Sequence, residues 1–119
     1  MTESDMWCAI AVLFFVTTDY LTGVIKAIMH GDLNSKRMRE GLGHKFTYLI
    51  LATTAWFIDT VNTHIPLGFP ISLYTCTISG ISLIEITSIL ENITAINPEL
   101  KTAPFMDIFT RNEPKHKED

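Results

Sequence analysis

Apolar residues in this chain gather in three blocks, and polar residues gather between and after them. The blocks cover about residues 6–29, 46–62 and 70–90. A helix that crosses a bilayer needs roughly 20 predominantly apolar residues, so each block reads as a membrane helix. The second is short, and Lys45 and His64 at its ends extend it by reaching toward the headgroups. The pattern predicts an all-α membrane protein with about three transmembrane helices, built as a single membrane domain over residues 1–110. Leu100, Phe105, Met106, Ile108 and Phe109 predict a short interfacial helix over about residues 99–109. The last stretch, residues 111–119, is charged with mixed sign and reads as a disordered tail.

The breaks between blocks have their own chemistry. Gly31-Asp32 ends the first helix, with the glycine available for a C-terminal cap. Residues 35–39 suit a short helical stretch, and Gly41 and Gly43 are expected to break it before the second block. The link over residues 62–70 holds Pro66, Gly68 and Pro70 and carries no Lys or Arg, which predicts a tight hairpin turn. Glu91-Asn92 is expected to close the third helix.

Charge turns this layout into a topology. All nine Lys and Arg of the 119 residues fall at Lys26, in the stretch between the first two blocks, or at Lys101 and beyond. Lys36, Arg37, Arg39 and Lys45 flank the apolar runs closely, where the positive-inside rule has most force. That places the basic stretch in the cytoplasm. The N-terminus and the His64 turn are then outside, and the C-terminus with Lys101, Arg111, Lys115 and Lys117 is inside. The acidic start, Glu3 and Asp5, lacks the positive region of a cleaved signal peptide. Cys8 and Cys76 sit in different blocks without metal-ligand neighbours and read as small apolar side chains. No basic surface interleaved with aromatics points to nucleic acid. No histidine, serine or glycine pattern builds an enzyme site or a cofactor loop.

The residues that stand out are polar ones inside the blocks. Asp19, Gly23 and Lys26 share one face of the first helix, which is amphipathic in its second half. Asp19, Asp59 and Glu85 are acids inside or near spans, where a carboxylate costs on the order of 2.5–3.5 kcal/mol. Three readings fit them. They line a proton or cation path, they pair across subunits with Lys26, hydroxyls or protonated neighbours in assembly, or Asp59 and Glu85 stay wet near the span ends. The third block is rich in Ser and Thr. Ser72, Thr75, Ser79 and Ser82, with Gly80 nearby, form a small, hydroxylated seam suited to close helix packing. A face that lines a pore, or is merely tolerated, is the other reading.

Two clusters carry a family resemblance. Asp19-Tyr20-Leu21-Thr22-Gly23, followed by Ala27, Gly31, Leu33, Ser35, Gly41 and His44-Lys45, resembles the opening half of the toxin-secretion/phage-lysis holin family. Glu85-Ile86-Thr87-Ser88-Ile89-Leu90-Glu91-Asn92, followed by Asn97-Pro98-Glu99-Leu100, resembles its closing motif, and Asp59 falls where the family tends to carry an acid. The resemblance covers about residues 19–100. It implies a protein that accumulates in the host's inner (cytoplasmic) membrane, oligomerises with itself, and opens lesions at a set time. An endolysin then reaches the cell wall without any required contact with the lesion protein, and an antiholin is a further partner the resemblance allows. Some relatives release toxins instead. No active site and no cofactor are implied. Asp19, Gly23, Glu85, Ser88, Glu91 and Asn92 match the motifs and become candidates for assembly or gating, with Lys26 and Asp59 beside them. A small oligomeric ion or solute transporter, or a membrane adaptor protein, is the alternative.

Overall fold

A computed structural model describes residues 2–110 of the chain. The expected tail, residues 111–119, lies outside the described residues, and Arg111, Lys115 and Lys117 with it. The described residues form three long helices, α1 (Glu3–Met29), α2 (Ser35–His64) and α3 (Leu73–Ile96), then a 3₁₀ turn (Pro98–Thr102) and a short helix α4 (Met106–Thr110), with no strand among them.

Local signals in the sequence set the helix ends. Thr2 caps α1 in a reciprocal box with Asp5, which satisfies donors that the first turn leaves orphaned. At the other end Gly31 adopts φ 70°. Its N–H donates to the Ile28 carbonyl and the Asp32 N–H donates to the Ala27 carbonyl, a Schellman stop that needs a residue tolerant of positive φ. Asn34 then caps α2 by accepting from the Lys36 and Arg37 N–H groups.

Two expected breaks are absent. α2 runs unbroken through Gly41 and Gly43, neither of which has positive φ. A glycine inside a helix costs only about 1 kcal/mol relative to alanine, and α2 has helix-forming neighbours on both sides. α3 likewise continues past Glu91 and Asn92 to Ile96. The Thr94 hydroxyl bonds back to the Leu90 and Glu91 carbonyls, and the helix stops at Asn97, just before Pro98. Near the C-terminus, the apolar stretch around residues 99–109 is divided, because Pro104 separates the 3₁₀ turn from α4.

α3 is the central helix. It packs most extensively on α1 and also on α2, whereas α1 and α2 touch little. The Tyr74 hydroxyl donates to the Asp5 carbonyl (3.1 Å), and the Asn92 amide donates to Asp19 (3.0 Å), so α1 and α3 run parallel. α2 runs against both. Between the helices lies a short apolar core of Val12, Val16, Ala52, Ala55, Tyr74, Ile78 and Ile81. At one end of this core Asp59 of α2 accepts from the Leu73 N–H (2.9 Å), the Tyr74 N–H (2.8 Å) and the Ser72 hydroxyl (2.9 Å). It neutralises the positive N-terminal end of α3. The turn beside it is held by Asn62, whose side chain accepts from the Leu67 N–H and donates to the Phe69 carbonyl. Gly68, at φ 89°, completes the bend.

The surface is the inverse of a water-soluble protein's. Trp7, Phe14, Phe46, Ile50, Phe57 and Leu83 point outward, Phe14 at 63% exposure and Leu83 at 67%, while Asp19 and Glu85 are buried. A continuous apolar outer surface with acids inside suits a hydrocarbon surrounding. α1 and α3 are each long and apolar enough to cross a membrane. α2 falls short of the same standard, since Thr53, Thr54, Asp59 and Thr60 interrupt its apolar run.

The cap on α3 generates a prediction. Asp59→Ala removes the acceptor for two helix N–H groups and should destabilise the folded chain by about 1–2 kcal/mol. Asp59→Asn retains an acceptor and should cost less. Reversible unfolding in mixed micelles, followed by Trp7 and Trp56 fluorescence, measures both.

Candidate functional site: a buried ionic clasp

α1 contributes Asp19 to the site, α2 contributes Lys45, and α3 contributes Glu85 and Asn92. The Lys45 ammonium donates to Asp19 Oδ2 at 2.5 Å and to Glu85 Oε2 at 2.7 Å. Asn92 Nδ2 donates to Asp19 Oδ1 at 3.0 Å and reaches the Thr22 hydroxyl at 3.1 Å. The second carboxylate oxygen of Asp19 is therefore bonded as well. Asp19 is 7% exposed and Glu85 2%, and no buried polar side-chain atom among the described residues lacks a partner.

The local sequence explains each position. Asp19 continues the buried face of α1, one turn beyond Val12 and Val16. Glu85 and Asn92 continue the buried face of α3, which reads Tyr74, Ile78, Ile81, Glu85, Ile89 and Asn92. Lys45 can reach both acids because α2 is continuous. A break at Gly41 or Gly43 would leave its backbone unanchored at this level.

Within one chain Lys45 is the cation of Asp19 and Glu85. Lys26 makes no ion pair among the described residues, and its expected pairing with the acids belongs to contacts between copies. The sequence presents Lys45 as a topology determinant, as an end residue extending the second block, and as part of the His44-Lys45 match. Its position just before the second apolar block gave no sign of an inward aim, because aim depends on how α2 packs. Asp59 is not part of the clasp and lies at the opposite end of the core. Ser88 is half-buried beside Asn92, and Glu91 faces outward. Gly23 stands against Asn92, where a Cβ would meet Nδ2 at 3.6 Å, an ordinary contact. Of the α3 seam, Ser72, Thr75, Ser79 and Gly80 are exposed and Ser82 is half-buried, so the chain's own helix contacts use a different face. Lys36, Arg37 and Arg39 are exposed on the first turns of α2. Among the described residues no group of three or more His, Cys, Asp or Glu side chains is placed to hold a metal ion.

The clasp sets two acids against one base, so with both carboxylates ionised it carries one net negative charge. It also ties together three helices whose other links are a short apolar core, the Asp59 cap on α3 and the Tyr74–Asp5 hydrogen bond. Replacing a buried ion pair by apolar groups is often neutral or stabilising, whereas removing one partner costs about 3–5 kcal/mol. The clasp therefore adds little to bulk stability. It makes one packing of the three helices strongly preferred over packings that expose or strand a charge.

This is the interior of a small helical membrane protein, with polar groups inward and apolar groups outward. A family model for the bacteriophage holin family matches residues 2–105, and the chain belongs to that family. Members are pore-forming membrane proteins rather than enzymes. No curated protein and no solved structure matches the chain.

Lys45→Met leaves two buried carboxylates without their cation and should cost about 3–5 kcal/mol in the same micelle unfolding measurement. The triple variant D19N/K45M/E85Q removes the charges together and should recover most of that loss. Lys26→Met, which breaks no ion pair, should stay within about 0.5 kcal/mol of the parent.

Proposed function

We propose that the chain is a lesion-forming holin of the host inner membrane, spanning it three times with the N-terminus outside and the basic stretch inside. It accumulates there, oligomerises, and at a set time opens a path for an endolysin to reach the cell wall. The observation that carries this reading is the clasp. A membrane helix bundle that seals its acids around one lysine is tolerated in lipid, yet it holds enough polar groups to line water once the helices part.

Several features support the finer points. Among the described residues every Lys and Arg lies at the clasp end of the bundle, whereas Glu3, Asp5 and Asp59 lie at the other. That segregation supports the orientation under the positive-inside rule. α2 is tied to α3 at both ends, by Lys45 and by Asp59, which supports its crossing with its neighbours despite its weaker apolarity. Three helices are too few to enclose a path for a protein, so the lesion needs many copies. The outward Ser72, Thr75, Ser79 and Gly80 face of α3 offers a close-packing surface for another copy. With both carboxylates ionised, the clasp also responds to membrane potential, by about 2.3 kcal/mol per elementary charge per 100 mV if the full field is crossed.

Induced expression in a bacterial host, with and without a co-expressed cytoplasmic endolysin, tests the reading. Sudden depolarisation at a reproducible time is expected, with lysis only when endolysin is present. Steady growth with intact potential, despite verified insertion, overturns it. Asp19→Asn and Glu85→Gln should each shift the onset of depolarisation at equal membrane levels. Unaltered onset in both removes the clasp from the gating step.

A further inference from the structure

A cleft of about 420 Å³ opens between the C-terminal half of α1 and the first turns of α2. Its floor is the clasp, through Asp19, Lys45 and Asn92. Its upper walls carry Lys26 and His30 from α1 and Arg37 from α2. Between floor and rim the lining turns apolar, with Tyr20, Val24 and Met38.

The cations of this cleft are not equivalent. Lys45 is committed to two carboxylates. Neither Lys26 nor Arg37 makes an ion pair or a side-chain hydrogen bond with any described residue, although Asp32 lies at the same rim. Lys26 is half-buried and Arg37 is exposed. From Asp19 to His30 the cleft wall rises ~16 Å along α1. With the basic stretch at the cytoplasmic surface, this height runs from inside the hydrocarbon to the level of the headgroups.

We infer that this cleft binds the headgroup of an anionic phospholipid of the inner leaflet, with Lys26 and Arg37 on its phosphate. The glycerol and the start of the acyl chains lie against Tyr20, Val24 and Met38. The inference rests on the membrane reading above. Basic pockets between membrane helices on the cytoplasmic side are suited to such headgroups, because two walls can each supply a donor to one phosphate. A free phosphate has no use for the apolar middle of the cleft, and a phospholipid does.

Native mass spectrometry of the full chain in detergent tests this, with phosphatidylglycerol and phosphatidylcholine of equal chain length titrated separately. The parent should retain phosphatidylglycerol at least fivefold more than phosphatidylcholine. Lys26→Gln with Arg37→Gln should lose most of that preference. Lys36→Gln with Arg39→Gln removes equal charge from the start of α2, away from the cleft lining, and should keep it. Absence of preference in the parent, or equal loss in both double variants, overturns the cleft as the site. Alkaline carbonate extraction of each form from bacterial membranes separates the two levels of inference. A chain that stays inserted yet shows no preference refutes the cleft alone, and a chain that is extracted refutes the membrane placement and the cleft together.

Discussion

A charge in hydrocarbon must find its counter-charge inside the protein, and that requirement organises this bundle. Asp19 and Glu85 lie on the buried faces of two parallel helices, and the cation that serves both comes from the third. Lys45 therefore fixes the rotation of α2 about its axis, and its depth relative to α1 and α3. The side chains of Asn92 and Thr22 complete the set by bonding to one another beside Asp19. Nothing in the apolar core defines the packing so sharply, since Val, Ala and Ile side chains accept many neighbouring arrangements in lipid.

The two ends of α2 show how this less apolar helix is held to the bundle. One end is held by the ion pairs of Lys45 and the other by Asp59 on the N-terminus of α3. Between them α2 buries Ala52 and Ala55, and Tyr48, Leu49 and Trp56 pack half-buried against the same core. The polar contacts at its two ends are made by groups that water also satisfies, whereas the apolar side chains between them are not satisfied by water.

The same logic separates two kinds of polar residue in the chain. Asp19, Glu85 and Asn92 are turned inward and bonded to one another's partners in the clasp. Ser72, Thr75, Ser79 and Gly80 face outward, where small hydroxyls cost little because they can bond to their own helix backbone. The inward groups define the packing of the three helices.

The sequence by itself determined the class of this protein. Three apolar blocks, basic residues collected at one side, and acids inside the blocks are local facts, and they suffice for a helical membrane protein with Asp19 and Glu85 as its costly residues. The Gly31 stop and the turn around Gly68 were legible for the same reason, since each follows from the conformational freedom of one residue. The unbroken course of α2 was not, because the penalty of Gly41 and Gly43 is small beside the packing of a long helix. Nor was the partner of the acids. Lys26 shares a helical face with Asp19, which sequence spacing can show, whereas Lys45 meets Asp19 across 26 positions and Glu85 across 40. Only the packing of three helices decides which cation arrives at a buried carboxylate, because spacing along a chain sets faces within a helix and leaves contacts between helices to the tertiary fold.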